Sequence, residues 1–407
     1  MKPRVLMLPK WYPHCYDDQD GDFVARHVAA IACHAQVAVL FATVARGPLA
    51  SWVACDADLS ASLPTVRYYY RARPTGLGPL DKVLKLFLYF WCLGQGYRTL
   101  IHHWGARPHL IHVHVLLRTG LFAWWLRVWG RTPYIVTEHW TLYLPANAHR
   151  IGRLRRWLTR RVVAQAAALH TVSDNLRQAL ANLGITNAHS VVIPNVVDTS
   201  LFHLPESSSL REEVRTLGGS RLLHVAAFNE RAKNLSGILR TTARLVAKRP
   251  DLTLRIAGYG PQEAAVKQLA AELGLLNRSV FFLGKLPQSA IAAEMRRANC
   301  LVLFSNYENL PCVLIEAQAT GLPAVASHVG GVPELLPTDG SRGLLVSPGD
   351  EVALQLALEQ VLSYPERFNS QQMHRTAVAK FSNAAVGRSF ARLYAVVLHG
   401  APTPVSA

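Results

Sequence analysis

Short apolar runs recur along the whole chain, and this repetition constrains the fold more than any other feature of the sequence. Stretches with the polar and apolar spacing of amphipathic helices separate the runs. Strands that are apolar almost throughout are typical of parallel sheets covered by helices on both faces. The runs occupy residues 4–9, 37–41, 65–70, 110–115, 134–139, 168–173 and 190–195 in the first half and 221–228, 252–260, 280–284, 300–305, 323–327 and 343–347 in the second. We therefore predict an α/β fold.

The alternation is interrupted once, by the polar stretch HLPESSSLREEVRTLGGS at residues 203–220. A chain of 407 residues is also longer than one ordinary hydrophobic core. We therefore predict two doubly wound domains, at 1–200 and 201–383, followed by a helix at 384–398. Doubly wound sheets bind ligands outside the carboxyl ends of their strands, so we expect functional residues in the loops that follow the apolar runs.

The chain is strongly basic, with 43 lysines and arginines against 26 acidic residues and a formal net charge of +17. This excess predicts an acidic partner, which charge alone leaves open between nucleic acid, a phosphorylated small molecule and an anionic membrane surface. The six cysteines lack metal-site or redox-motif spacing, which indicates a reduced, cytoplasmic protein. The apolar segments before Pro9 and at 83–93 are too short for a signal peptide or a membrane span.

Two glutamates bracket the apolar segment ENLPCVLIE at residues 308–316, directly after an apolar run. We predict a helix from about 311 to 320, with Asn309 as its N-cap and Pro311 in its first turn. The positive end of such a helix favours an anion beside Glu308. From these residues alone, Glu308 and Glu316 are equally well interpreted as a ligand site and as the polar edges of a helix.

Five motifs in order resemble one known family. The stretch CLVLFSNYENLPCVLIEAQATGLPAVASHVGGVPELL at 300–336 resembles the signature of the retaining family 4 glycosyltransferases of the GT-B fold. The other motifs are LHTVSDNLRQAL, VVIPNVVDTSLF, RIAGYGP and FFLGKLP, and the resemblance extends from about residue 4 to residue 398. It implies two Rossmann-like domains facing across a cleft, with the acceptor in the first, the nucleotide-sugar donor in the second, and the last helix crossing back to the first.

The resemblance assigns donor-binding roles within the segment 308–316. Glu316 would accept hydrogen bonds from the ribose hydroxyls, since a carboxylate offers two acceptor oxygens, and Glu308 would hold hydroxyls of the donor sugar. The backbone of Asn309, Leu310 and Pro311 would line the phosphate and sugar pocket, although proline itself has no N–H to donate.

A lysine in VAAFNERAKN completes the implied diphosphate site. Lys233 would neutralise the leaving diphosphate as the glycosidic bond breaks. The arginine that the family usually places before this lysine is absent, so Arg231 is the candidate for the second phosphate contact. The remaining implied donor contacts are made by loop backbone, at Gly258 and Gly260, at Lys285 and Leu286, and at Gly21 in the first domain.

His139 in VTEHW matches a family histidine near the donor sugar, so the implied catalytic set is Glu308, Lys233 and His139. The implied reaction retains the anomeric configuration by front-face attack, with the departing diphosphate helping to deprotonate the acceptor hydroxyl. Asn195 and Asp198 match a motif that we interpret as mainly structural. No cofactor and no metal are expected.

Three patterns superficially resemble metal sites. The acidic triplets at 18–20 and 56–58 match the metal motif of the other large glycosyltransferase fold, but neither follows a strand in a suitable context. The histidines of HVH at 112–114 share one face of a strand. Without a third ligand in reach, we interpret them as core or cleft histidines rather than a zinc site.

The segment HRIGRLRRWLTRR at 149–161 carries six arginines and no acid. Its apolar residues Ile151, Leu154, Trp157 and Leu158 have helical spacing, so the helix suits an anionic membrane surface. A solvated basic helix packed on the domain is the alternative. All nine tryptophans lie in the first domain. The favoured acceptor is a saccharide or lipid-linked saccharide at the inner membrane face, and the favoured donor is a UDP or GDP hexose.

Two rival functions remain open. Another GT-B enzyme, such as a sugar-nucleotide epimerase or a glycogen-type phosphorylase, would share the fold, although the chain lacks the cofactor-lysine motif of the phosphorylases. A basic nucleic-acid-binding protein would use the arginine-rich segment instead. Its binding would fall steeply with salt and would not depend on Glu316.

Overall fold

The computed structural model describes residues 2–205 and 219–400. The chain forms two compact units. The first unit comprises the chain through Val172, the segment Arg177–Pro194 and the chain from Val386 onward, and the second comprises Ser173–Leu176 and Asn195–Ala385. The main division therefore falls at Asn195. The sequence predicted the boundary at residue 200. Most of the predicted linker at 203–220 lies outside the described residues.

The first unit contains an eight-stranded sheet with the order β3-β4-β2-β1-β5-β6-β7-β8. Every neighbouring pair is parallel except β3 with β4. The strands are β1 (Arg4–Pro9), β2 (Gln36–Val44), β3 (Val53–Asp58), β4 (Thr65–Tyr70), β5 (Leu110–His114), β6 (Tyr134–Glu138), β7 (Ala168–Thr171) and β8 (Ser190–Val192). The central strands β1, β5 and β6 are buried on both faces, as their apolar sequences require.

Helices accompany this sheet in the usual α/β alternation. They are α1 (Asp22–Ala32), α2 (Gly78–Trp104), α3 (Arg118–Gly130), α4 (Pro145–Ala148), α5 (Arg153–Gln165) and α6 (Asp174–Asn182), with a 3₁₀ turn at Thr141–Tyr143. None of the helices in the described chain combines the length and apolarity needed to cross a membrane. The basic helix α5 begins at Arg153, and its side chains Leu154 and Trp157 are exposed rather than packed on the unit.

Strand β3 was not predicted from the sequence. It pairs antiparallel with β4 at the sheet edge, and four of its six residues are exposed. An edge strand that faces water carries no continuous apolar run, so its sequence VACDAD does not stand out. The acidic triplet 56–58 therefore lies within a strand rather than after one.

The second unit contains a six-stranded, fully parallel sheet with the order β11-β10-β9-β12-β13-β14. Its strands are β9 (Ser220–Val225), β10 (Leu252–Ala257), β11 (Val280–Gly284), β12 (Cys300–Leu303), β13 (Ala324–Ser327) and β14 (Gly343–Val346). Its helices are α7 (Glu230–Lys233), α8 (Leu235–Lys248), α9 (Glu263–Glu272), α10 (Gln288–Arg297), α11 (Cys312–Ala319), α12 (Val332–Leu335), α13 (Glu351–Ser363) and α14 (Ser370–Phe381), with a 3₁₀ turn at Pro365–Arg367. Side chains from strands and helices pack into one apolar core.

The final helix α15 (Asn383–His399) matches the predicted closing helix. Its first residues belong to the second unit, and from Val386 onward it belongs to the first. Phe390 and Tyr394 are buried within the first unit. The predicted terminal helix is therefore part of the first unit's core rather than a loose tail.

Each sheet has one point where the strand order reverses direction. In the first unit this point lies between β1 and β5, and in the second it lies between β9 and β12. Loops diverge from such a switch point and leave a crevice at the carboxyl ends of the strands, where α/β sheets bind ligands. The two units therefore present one expected site each.

Candidate functional site

At the switch point of the second unit, a lysine and a glutamate form an ion pair. Lys233 is the last residue of α7, which follows β9, and Glu308 follows β12. The Lys233 Nζ lies 2.5 Å from Oε1 of Glu308, and the Ser305 hydroxyl donates to the same oxygen at 2.7 Å. Glu308 is only 7% exposed. The tertiary structure thus brings together two residues that the sequence placed far apart.

Both contacts of Glu308 use one oxygen of its carboxylate. Within residues 2–205 and 219–400, no side chain or backbone group donates to Oε2, so this oxygen remains available to accept a hydrogen bond from a ligand. Removing either partner of a largely buried ion pair leaves the other charge uncompensated, which is costly. Ser305 was not singled out from the sequence; its position between the end of β12 and Glu308 is the signal that marks it.

The prediction that Asn309 caps the following helix was wrong. Helix α11 begins at Cys312 with Pro311 at the N-cap position, and no side chain caps it. Asn309 instead accepts a hydrogen bond from the Ser173 hydroxyl at 2.6 Å, and the carbonyl of Leu310 accepts one from the Asn195 side chain at 2.7 Å. The Asn309 side chain therefore makes a tertiary contact, and the N-cap position of α11 belongs to Pro311.

A glycine pair in HVGGVPELL fixes the loop that carries Glu308. Gly330 has φ 53°, and a Cβ at this position would lie 1.9 Å from the carbonyl oxygen of Glu308. The next residue, Gly331, donates its N–H to the carbonyl of Asn309 at 2.8 Å. These glycines were not predicted from the sequence to have a role, although two adjacent glycines after a strand are a usable signal for close backbone approach.

Glu316 is the second glutamate of the segment and lies within α11, one turn after Cys312. It is 4% exposed, and its neighbours in the helix are the buried Leu314 and Ile315. Its backbone carbonyl accepts a hydrogen bond from the Thr320 hydroxyl at 3.2 Å. The structure therefore places a carboxylate in the interior of an apolar helix, where polar groups are retained only with hydrogen-bond partners.

The other predicted donor positions occupy neighbouring loops of the second unit. The Arg231 side chain is exposed, and it forms no ion pair with any residue in the described ranges. Gly258 and Gly260 lie in the loop after β10 and pack against residues 226–228. Lys285 lies in the loop after β11, and its Nζ is 4.9 Å from the centre of the Tyr259 ring. Leu286 follows Lys285 in the same loop.

In the first unit, His139 follows β6 and is 8% exposed. Its backbone N–H donates to the fully buried carboxylate of Glu138, which also accepts from the N–H groups of Leu116 and Trp140, at distances of 2.7 to 2.9 Å. Burial raises the pKa of Glu138, although these three hydrogen bonds oppose the rise. Glu138 thereby fixes the backbone that presents His139.

Five buried histidines surround this point. They are His27, His112, His114, His139 and His170. Burial lowers the pKa of the His139 ring well below its usual value, and neighbouring histidines lower it further. At neutral pH its ring is therefore an uncharged hydrogen-bonding group, and Nε2 lies 3.2 Å from Nδ1 of His114.

The HVH pair has no third metal ligand in the part of the chain that the structure describes, but its second histidine, His114, lies in a group with two other histidines. His27, His114 and His139 offer ring nitrogens that all lie within 4.8 Å of one another. A divalent ion there would be held by neutral ligands in a buried site, and the carboxylate of Glu138 already accepts three backbone hydrogen bonds. Neither acidic triplet joins a cluster of three ligands in the described chain.

Two of the five histidines form part of a directed hydrogen-bond chain. The carbonyl of Ile193 only accepts, so His170 Nε2 must donate to it, at 2.7 Å, and His170 Nδ1 must accept from the Thr137 hydroxyl. Thr137 then accepts from His112 Nε2, and His112 Nδ1 accepts from the Tyr394 hydroxyl at 2.7 Å. The chain fixes both tautomers and ties α15 to the sheet.

Gly21 occupies the N-cap position of α1 with φ 66°. A Cβ here would lie 2.3 Å from the carbonyl carbon of Trp11. The start of α1 is therefore packed directly against the loop that follows β1. Only glycine permits both the left-handed backbone and this close approach.

Comparison with known proteins agrees with this arrangement. The family model described as "Glycosyl transferases group 1" matches residues 209–377, and the model described as "Glycosyl transferase 4-like domain" matches residues 23–196. The D-inositol 3-phosphate glycosyltransferase of Corynebacterium aurimucosum is 31% identical over 304 residues, which cover 70% of this chain and 71% of the relative.

Solved structures share the fold at lower sequence identity. Sucrose-phosphate synthase from Thermosynechococcus elongatus has a TM-score of 0.76 at 21% identity and covers 98% of this chain and 100% of its own. Anabaena Alr3699/HepE in complex with UDP has a TM-score of 0.72 at 19% identity, with coverages of 97% and 100%. Together with the sequence matches, these structures show that the chain belongs to the group 1 glycosyltransferases of the GT-B fold.

Proposed function

We propose that this glycosyltransferase moves a hexose-type sugar from a UDP or GDP sugar to a saccharide or lipid-linked saccharide, with retention of anomeric configuration, in surface polysaccharide or glycolipid synthesis. The ion pair of Lys233 and Glu308 at the switch point of the second unit carries this proposal. The names of related proteins support it, since one is an inositol phosphate glycosyltransferase and HepE has been solved with UDP-glucose. The more distant alternatives of epimerase, phosphorylase and nucleic-acid binder lack an equivalent observation.

The donor roles follow from the contacts of this pair. Lys233 stabilises the negative charge that develops on the leaving diphosphate, and Glu308 keeps the ammonium group in place. The available oxygen of Glu308 accepts a hydrogen bond from a hydroxyl of the donor sugar. Glu316 accepts hydrogen bonds from the ribose. The loop of Asn309 and Leu310 contributes backbone groups, and its tertiary hydrogen bonds hold it in the required position.

The proposed chemical step breaks the bond between the anomeric carbon and the diphosphate oxygen. The acceptor hydroxyl forms its new bond on the same face, and its proton passes to the departing diphosphate. His139, uncharged at neutral pH, positions the donor sugar by hydrogen bonding. Lys233 supplies the positive charge that the leaving group needs, so the mechanism requires no divalent metal and no cofactor.

Calorimetric binding of UDP and GDP in EDTA tests the donor site. We expect one nucleotide to bind without metal, with at least tenfold weaker binding in Glu316→Gln and Lys233→Met. The matched control is Lys248→Met, which removes a lysine that pairs with Glu359 on the surface of the same unit. Equal binding by wild type and all variants, or binding only with metal, would contradict the proposed site. NMR of the product would establish the anomeric outcome.

We also propose that the protein acts in the cytoplasm, bound peripherally to the inner face of an anionic membrane through its first unit. Residues 82–173 carry thirteen lysines and arginines and a single acid, the buried Glu138. Helices α2 and α3 expose large apolar side chains around a groove of about 370 Å³, whose walls are Phe90, Gly94, Leu121, Phe122 and Trp125. The exposed side chains are Leu80, Val83, Leu86, Phe87 and Trp91 on α2 and Trp125, Val128 and Trp129 on α3.

Such a combination of apolar side chains and unopposed cations suits a bilayer with anionic headgroups. Sedimentation with phosphatidylglycerol vesicles tests it, and phosphatidylcholine vesicles provide the neutral comparison. Trp129→Ser should weaken anionic binding severalfold, because this side chain is 76% exposed. Trp52→Ser removes another exposed tryptophan of the same unit and is the control. Failure to bind either vesicle would contradict membrane association and leave the donor site unaffected.

A further inference from the structure

At the carboxyl ends of β1 and β6 in the first unit, two cations lie over one indole ring. The Lys10 Nζ lies 3.4 Å from the centre of the Trp140 ring, and the Arg155 guanidinium carbon lies 4.8 Å from it. Adding the two distances places these groups no more than 8.2 Å apart. Lys10 also lies 4.7 Å from the ring of Trp11, which meets Trp140 edge to face. Favourable cation–π contacts thus hold like charges together.

The local charge is not balanced by the protein. Burial, the largest influence, and the positive charges of Arg155 and Arg118 lower the pKa of Lys10 to about 8, although the negative charge of Glu138 opposes the shift. None of the three cations forms an ion pair with a residue in the described ranges. Two acids raise the pKa of Lys10, namely Glu138 and Asp20. Glu138 already accepts hydrogen bonds from three backbone N–H groups, and Asp20 lies 3.4 Å from a His14 nitrogen.

Neighbouring elements add to this concentration of positive charge. Lys10 follows β1 directly, on one side of the switch point of the first sheet. Arg155 lies in the first turn of α5, a turn with no acidic residue and no side-chain cap. Lys10 and Arg155 repel each other in this partly desolvated position, so an anion that binds between them is attracted by both.

We propose that Lys10 and Arg155 form a subsite for a phosphate group of the acceptor, with Trp140 as its aromatic wall. This inference rests on the proposed function and narrows its acceptor to a phosphorylated compound. Two cations beside one hydrogen-bonded carboxylate suit a dianionic phosphate better than a ligand with a single carboxylate. The phosphate belongs either to a soluble sugar or cyclitol phosphate or to a lipid phosphate, since both present the same group.

Calorimetry in the presence of saturating UDP tests the subsite while the donor site is filled. The probes are D-inositol 3-phosphate, farnesyl phosphate and, as the uncharged comparison, inositol. We expect at least one phosphate to bind and inositol not to bind. Tighter binding of D-inositol 3-phosphate identifies a soluble phosphate, and tighter binding of farnesyl phosphate identifies a lipid phosphate. Above pH 8, affinity should fall as Lys10 loses its proton.

Matched variants distinguish phosphate binding at this subsite from nonspecific attraction of anions to the basic surface. Lys10→Met and Arg155→Met should each weaken phosphate binding at least tenfold without changing UDP affinity, and Lys10→Arg should largely restore it. Arg153→Met, which removes an exposed arginine from the same turn of α5, should have no effect. Melting curves confirm that each variant is folded.

The possible failures are distinguishable. If UDP binds but neither phosphate probe does, or if Arg153→Met weakens binding as much as Arg155→Met, the phosphate subsite is overturned and the donor site stands. Loss of phosphate binding when UDP is added would assign these cations to the donor diphosphate and would equally overturn the proposal. Absence of UDP binding by the folded protein would contradict the proposed function itself.

Discussion

The two units share a doubly wound sheet with a site at its switch point, yet they handle polar groups in different ways. The first unit buries a cluster of five histidines and the carboxylate of Glu138. In the second unit, His224 is the one buried histidine among the described residues, and ion pairs such as Arg240 with Glu351 and Lys248 with Glu359 lie nearer the surface. The same architecture therefore accommodates a cluster of buried histidines in the first unit and buried glutamates, such as Glu308 and Glu316, in the second.

Charge follows the same division. Residues 1–200 carry 22 lysines and arginines against 10 acidic residues, a formal charge of +12, whereas residues 201–407 carry 21 against 16, or +5. Most of the excess thus lies on the half proposed to meet the acceptor and the membrane. One fold, used twice, thus carries a strongly basic first half and a less basic second half.

The largest expected effect comes from breaking the polar core at α15. Phe390 packs its ring against His27, His112 and His170, with centroid distances of 5.0 to 5.4 Å. Phe390→Ala should cost about 3–5 kcal/mol of unfolding free energy, because it leaves a cavity beside groups that need their partners. Urea denaturation measures the loss. Phe304→Ala is the matched change in the second unit, and amide exchange should assign each loss to its own unit.

The second prediction concerns the donor pair. Glu308→Gln removes the charge that holds Lys233, so we expect kcat/KM for transfer to fall about 100-fold, comparable to the loss of one group that stabilises charge in the transition state. Initial rates with a radiolabelled donor measure the effect. Glu359→Gln, which breaks a surface pair of the same unit, should leave the rate within twofold. A similar fall in both variants would argue against a specific role for Glu308.

The third prediction uses pH to separate the two units. Burial lowers the pKa of His27 from 6.5 to about 4 and that of His170 to about 3. Below about pH 6.5 these histidines are protonated in the unfolded chain but remain neutral in the folded unit. The folded unit therefore loses stability as the pH falls from about 6.5 toward 4. Each such histidine contributes on the order of 3 kcal/mol to this loss.

Hydrogen exchange at pH 7.5 and pH 5 should thus show earlier opening of β5 and β7 than of β9 and β12. His170→Gln should flatten the dependence of stability on pH, whereas His189→Gln, which removes an exposed histidine, should not change it. Simultaneous opening of both sheets would show that the histidine cluster does not set the acid limit of the first unit.

The smallest expected effect concerns one end of the hydrogen-bond chain. Tyr394→Phe removes the hydroxyl that donates to His112 and keeps the ring in place. We expect a loss of about 1–2 kcal/mol, since a buried acceptor is left without its donor. Chemical denaturation measures the loss. A neutral result would mean that α15 is held by packing alone.

Much of the fold followed from local pattern. The apolar run at 4–9 coincides with β1, because a strand buried on both faces must be apolar along its length. The runs at 65–70 and 280–284 likewise coincide with β4 and β11. Strand β3 was not predicted, because an exposed edge strand need not be apolar along its length. Of the donor site, the glutamates and Lys233 were named from the resemblance, but Ser305 and Gly330 were not, since their roles depend on what they touch.

By itself, the sequence determined two doubly wound units, the surplus of positive charge in the first half and the family to which the chain belongs. Only the tertiary structure decided that Lys233 pairs with Glu308, that the buried histidines form one cluster, and that Lys10 and Arg155 share the ring of Trp140. The reason is physical. Strand and helix patterns repeat over a few residues, whereas each of these contacts joins side chains that are distant in sequence and meet only where parallel strands end side by side.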